Sequence, residues 1–199
     1  MKAARREVLG LAIRAFAWLP VTLAAWYFAS QALAWVPAQV AASALGLAGV
    51  NAKAPKLAEG VAVFEAQLHP PYRPGIATAE EVEVTIDVKT RTFTFGIALF
   101  LALSLALGRP WRPGPLALGA AILVVLPAWG IAFDALRQLA GVAALGPVLA
   151  WPPALREAIA FGYQVGSLLL PTLGPVALWV ALNPRVTRGR SEEDEPGCQ

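Results

Sequence analysis

Four long stretches without a single Lys, Arg, Asp or Glu decide what this chain can fold into. They are Ala15–Asn51, Thr92–Gly108, Pro113–Phe133 and Ala158–Pro184. A helix in water turns a polar face to the solvent, and these runs have no such face to turn. The charges gather in the gaps between them. A hydrocarbon slab about 30 Å thick takes about 20 helical residues to cross. The chain therefore reads as an α-helical integral membrane protein with four transmembrane helices. Composition agrees, with 57% hydrophobic and 15% charged residues, against about 25% charged in an ordinary soluble domain.

The expected order is a cytoplasmic N-terminus (1–14), a first transmembrane helix (15–36) and a separate small-residue helix at the outer interface (37–50). The break between those two is placed at Pro37, which has no amide hydrogen to continue the ladder. A rival reading takes the N-terminus as a signal peptide, because Ala32-Leu33-Ala34 fits a small-x-small cleavage site. The long apolar core, with Pro20, Trp18, Trp26 and Tyr27 inside it, favours an uncleaved anchor. An extracytoplasmic strand-rich insert (51–91) follows, then a second, short span (92–108), a cytoplasmic turn (109–112) and a third span (113–133). An outer loop or helix (134–157), a fourth span (158–183) kinked at Pro171, Gly174 and Pro175, and a cytoplasmic disordered tail (184–199) complete the chain.

Orientation follows from the cations in the flanks. With the N-terminus inside, the inner segments hold Lys2, Arg5, Arg6, Arg14, Arg109, Arg112, Arg185, Arg188 and Arg190. The outer segments hold Lys53, Lys56, Arg73, Lys89, Arg91, Arg137 and Arg156, spread over many more residues. Both termini are thus expected on the cytoplasmic side of the membrane. Trp35 and Trp129 are expected at the outer interface, and Trp18, Trp111 and Trp179 nearer the inner one.

Within the insert, Val82–Lys89 alternates apolar and polar residues, the pattern of a half-buried strand. Gly60–Leu68 reads as a second strand, and the proline-rich stretch from His69 to Gly75 as a loop. The alternation slips after Lys89, which places a bulge or turn at 89–92. Forty such residues cannot bury enough surface to fold alone. The apolar row Val82, Val84, Ile86 and Val88 therefore docks on the outer ends of the spans, or offers an edge to a partner strand.

Candidate contacts lie near spans three and four. Asp134 and Arg137, three residues apart, can pair on one helix face. They either mark where the helix leaves the membrane or turn inward toward Arg156 or Tyr163. The helical repeat favours the inward orientation, since Asp134 shares a face with Leu123, Pro127 and Gly130. Arg156 and Glu157 stand at the start of span four. Gly162-Tyr163-Gln164-Val165-Gly166-Ser167 carries a GxxxG spacing that lets another helix approach closely. That helix is one of the chain's own, or belongs to a partner or a helix-mediated oligomer.

Several functions are excluded. The only histidine, His69, and the only cysteine, Cys198, fall on opposite sides of the expected bilayer and cannot form a thiolate–base pair. No disulfide, CxxC metal pair or haem attachment is available, so neither a cofactor nor a metal is expected. The weak, scattered positive charge does not suit nucleic acid. The chain is expected not to be an enzyme. A small transporter or channel subunit using the kinked fourth helix is the alternative.

The order of parts resembles the exosortase H-associated membrane proteins. The likeness is carried by Trp18-Leu19-Pro20, by Glu83-Val84-Thr85-Ile86-Asp87 leading into Phe95-Gly96-Ile97-Ala98-Leu99-Phe100-Leu101-Ala102-Leu103, by Ala128-Trp129-Gly130-Ile131-Ala132-Phe133-Asp134, and by Arg156-Glu157-Ala158-Ile159-Ala160-Phe161-Gly162-Tyr163-Gln164. It covers nearly the whole chain apart from the acidic tail. Such proteins are small, multi-pass and encoded beside an exosortase, a membrane cysteine transpeptidase that processes C-terminal sorting signals. The resemblance implies an accessory membrane subunit of a sorting or surface-anchoring system, with the lipid bilayer and an exosortase or its sorted substrate as partners. The exosortase itself needs a membrane-proximal Cys, Arg and His set that is missing here.

Overall fold

The computed structural model describes residues 2–68, 82–107, 113–142, 145 and 149–184. Helix α1 runs from Lys2 to Leu47 as one rod with Pro20 and Pro37 inside it, about 69 Å long at 1.5 Å per residue. The separate helix expected over 37–50 is not formed. Pro37 deprives the Leu33 carbonyl of its helical partner, at about 3 kcal/mol. Packing outweighs that loss. Ala34, Ala38, Ala41 and Leu45 recur at helical spacing and are all fully buried, and Ala38, Ala41 and Leu45 join the core under the sheet.

The chain then forms a small antiparallel sheet of β1 (Asn51–Ala52), β2 (Lys56–Ala58), β3 (Val61–Leu68) and β4 (Val82–Lys89). Strand β3 is central. It pairs with β4 from Val61↔Lys89 to Leu68↔Val82, while β1 and β2 share its other side. The two long strands match the expected ones. β1 and β2 were not expected, because two- and three-residue strands flanking Pro55 carry no readable alternation. Ala62, Phe64, Ala66, Leu68, Ile86 and Val88 point inward and are buried.

Thr90 makes the expected turn after β4, giving both its N–H and its hydroxyl to the Gly60 carbonyl at 2.9 Å. Short helix α2 (Arg91–Thr94) leads at once into α3 (Gly96–Ala106). Helices α4 (Pro113–Val125) and α5 (Pro127–Gly141) adjoin at Leu126, where Pro127 interrupts the ladder. The helix therefore does not stop at Phe133, as the sequence suggested, but continues two turns past Asp134. Helix α6 (Pro153–Gln164) passes through a π-helical turn, Val165–Leu169, into α7 (Leu170–Leu182). The irregularity lies just before Pro171, and α7 continues through Pro175.

Among the described residues three helices are long and apolar enough to cross a membrane: Leu9–Leu47, Gly114–Gly141 and Pro153–Leu182. Arg91–Ala106 is apolar but shorter. Two cores stack along the rods. One joins the sheet's inner face to the second halves of α1 and α5 and to Ile159 of α6. The other, around Ile97, Phe100, Leu123 and Trp179, joins α1, α3, α4 and α7.

Candidate functional site

Between the two cores a set of side chains fixes the heights of the helices relative to one another. The Trp26 indole N–H donates to Thr94 Oγ1 at 3.2 Å, and Arg91 lies over the Tyr27 ring at 4.5 Å. Phe93 packs against Gly130, where a Cβ would meet its ring at 2.2 Å. Trp129 donates to the Gly162 carbonyl at 3.0 Å. Trp26, Tyr27, Arg91, Trp129 and Gly162–Gly166 therefore share one level. The tryptophan at the height of Trp129 is Trp26 rather than Trp35, which lies nine residues further along α1, about 13 Å by helical rise. Trp179 is buried in the second core. Trp111 lies outside the described residues.

Just above this level sits the charged cluster. Asp134 is 8% exposed and accepts from Arg137 Nη2 at 2.9 Å and Nε at 3.3 Å. Arg137 also stacks on the Tyr163 ring at 4.3 Å. Gln138 donates to Asp134 Oδ2 at 3.4 Å and to the Asp87 carbonyl on β4 at 3.0 Å. Asp134 thus faces inward, and Leu123, Pro127 and Gly130 of the same helical repeat are buried too, so it does not point outward at a helix end. Three side chains on α5 link the sheet to α6. Gln138 was not singled out from the sequence, because nothing there showed that β4 would pass within reach of it.

The GxxxG glycines pack within the chain. A Cβ at Gly162 would meet the Phe133 ring at 2.2 Å, and one at Gly166 would lie 2.6 Å from the Gly130 Cα. The Cβ would meet backbone at that second point, so position 166 takes only glycine unless the helices shift, whereas a Cβ at Gly130 would meet the Phe93 ring. Gly130, invisible as part of a motif, is the partner that the Gly166 contact requires. The π turn, Val165–Leu169, begins three residues after Gly162, whose carbonyl receives the Trp129 indole N–H. π turns of this kind often mark functional positions in helices.

The sequence profile of the exosortase H-associated membrane proteins matches residues 5–186. The chain belongs to that family. Neither a curated protein nor a solved structure matches it. In this family member two of the segments that carry the resemblance meet. Phe95–Leu103 supplies most of α3, Ala128–Asp134 the first half of α5 and Arg156–Gln164 most of α6. Ala128–Asp134 and Arg156–Gln164 meet at the Trp129–Gly162 bond and the Phe133–Gly162 contact.

Other expected site residues lie apart from this junction. Arg156, Glu157 and Gln164 are exposed on α6, and Arg156 does not pair with Asp134. Val82, Val84, Ile86 and Val88 face the chain's own helices: Ile86 and Val88 are buried, and Val82 and Val84 pack against the same core. The backbone groups of these four point toward β3. The outer edge of β4 is therefore lined by the alternate residues Glu83, Thr85 and Asp87, with Gln138 already occupying the Asp87 carbonyl.

The sheet's outer face carries charge. Lys53 pairs with Glu83 at 3.0 Å and with Glu65 at 3.5 Å, and Lys56 pairs with Glu65. The hydrogen bond and charge of Lys56 hold the Glu65 carboxyl below its usual 4.5. The hydrogen bond and charge of Glu83 hold the Lys53 ammonium above its usual 10.5. Among the described residues no three His, Cys, Asp or Glu side chains gather to hold a metal. His69, the loop 69–75, the turn 109–112, the tail from Arg185 and Cys198 lie outside the described residues.

Proposed function

We propose that this protein is a non-enzymatic accessory subunit of an exosortase-type protein-sorting and surface-anchoring system, crossing the bacterial inner membrane four times with both termini cytoplasmic. Membership of the exosortase H-associated family over residues 5–186 is the observation that carries the role. The four-span reading is supported by length below the shared level. Leu11–Tyr27, Arg91–Leu107, Pro113–Trp129 and Gly166–Leu182 each hold 17 residues, about 25 Å of helix, which is the lower limit for a crossing. The sheet, α6 and the upper halves of α1 and α5 then form one unit outside. Non-enzymatic action is supported by the state of the polar groups. Ser30 and Ser104 donate to carbonyls of their own helices, and Asp134 is neutralised by Arg137.

Affinity purification from gently solubilised native membranes tests the role. An exosortase or its sorted substrate should co-purify. Recovery of the chain alone in several mild detergents would refute the reading. The alternative, a small transporter or channel subunit, has weaker support. The crevice before Pro171, between Phe93, Gly96, Ile97, Leu123 and Leu126, is lined only by apolar residues and glycines. An ion route needs polar groups there.

A further inference from the structure

Among the described residues, Arg91 is the cation at the shared level that is fixed in place without a counter-charge. Its stem lies on Gly60, where a Cβ would meet Nε at 2.5 Å. Gly60 has a left-handed φ of +82° and follows Glu59 at +51°, a turn that glycine permits and that lets the backbone come up against the arginine. On the other side the guanidinium lies over the Tyr27 ring. A guanidinium carries five N–H donors, and among the described residues only Nε is engaged, to Ser30 Oγ at 3.3 Å. Among the described residues no carboxylate pairs with Arg91. Its four Nη hydrogens are therefore held in one orientation and unused. Trp26, Tyr27 and Trp129 surround the same height, the positions that aromatic residues favour at a bilayer surface.

We propose that Arg91 binds a phosphate group, that of a phospholipid headgroup in the outer leaflet. A planar fork of donors matches two phosphate oxygens at once, and a lysine at the same place would offer a point charge without that geometry. Tyr27 and Gly60 act as positioning residues, holding the fork at headgroup height so that little side-chain freedom is lost on binding. Lys89 and Thr92, both exposed beside Arg91, leave the approach open. This inference rests on the four-span placement proposed above.

The test uses the full chain, purified in mild detergent and examined by native mass spectrometry after exposure to phosphatidylglycerol. The wild type should retain a bound phospholipid. Arg91→Gln should lose it by about tenfold, the scale of one charge-assisted hydrogen bond. Arg91→Lys should fall between them, and Arg156→Gln should behave as wild type. Equal retention by wild type and Arg91→Lys would overturn the proposal, and that comparison stands even where Arg91→Gln fails to fold. Soluble glycerol phosphate at millimolar concentration should not displace the lipid. Displacement would assign the site to a free phosphate instead and overturn the lipid source. Failure of the placement is read separately. Thr92→Cys, in a Cys198→Ser background, should react with a membrane-impermeant maleimide added from outside; protection there would refute the four-span placement and the lipid site together.

Discussion

Asp134 shows how a charge is kept inside a mostly apolar structure. Its carboxylate is nearly enclosed, but the Arg137 side chain that neutralises it is 47% exposed, so half of the pair keeps access to water. Removing one partner of a fully buried pair costs about 3–5 kcal/mol, and of an exposed pair about 0–1 kcal/mol. Asp134→Asn should fall between, at about 1–3 kcal/mol, because the freed guanidinium can still stack on Tyr163. Thermal unfolding in detergent and steady-state abundance would both register it. An unchanged melting temperature would show that the cluster adds nothing to stability. Gly166 has less latitude. A methyl group there meets backbone rather than a flexible side chain, so Gly166→Ala should cost about 1–3 kcal/mol, as overpacking does elsewhere. Gly46, with open space around it, is the matching control and should tolerate alanine.

At the scale of elements, the sheet exists because α1 continues past the level of Tyr27. A four-stranded sheet of this size has one apolar face, and that face is satisfied by Ala38, Ala41 and Leu45 on one side and by Ile131, Ala135 and Leu139 of α5. Its outer face is held by the Lys56–Glu65–Lys53–Glu83 chain of ion pairs, which gives it a pH signature. Because the folded Glu65 carboxyl lies below 4.5, its contribution is present above that pH and fades as acid protonates it. Because the folded Lys53 ammonium lies above 10.5, its contribution is present below that pH and fades as the pH rises through the folded value. The wild-type unfolding temperature should therefore drop more between pH 7 and pH 3.5 than that of Glu65→Gln. Equal drops in the two proteins would show that the pair is energetically silent.

At the scale of the molecule, the prediction is one of sidedness. Reporter fusions after Leu107 and after Pro184 should report the cytoplasm, and fusions near Gly75 or Ala144 the outside. A cytoplasmic signal at Gly75 would break the four-span arrangement. The charge-free runs made a membrane protein legible in the sequence, and the alternation of Val82–Lys89 with its slip at Lys89 gave β4 and the turn at Thr90, because both are local periodicities. The inward face of Asp134 was legible for the same reason: it shares a helical repeat with Leu123, Pro127 and Gly130. What stayed hidden depends on which surfaces meet. Pro37 signals a break by its own chemistry, and only the sheet and α5, packed against Ala38, Ala41 and Leu45, show why the helix continues through it. The GxxxG spacing announced a close helix contact but could not name Gly130 as the other side. Gln138, Trp26 and Arg91 look like ordinary polar or aromatic residues until Asp87, Thr94 and Tyr27 are brought beside them. Local periodicity was enough to show the apolar helices and the long strands, though not where α1 and α5 end, because it acts within a few residues. The height at which the helices lock together, and the cluster formed there, were decided only by contacts between residues far apart in the chain.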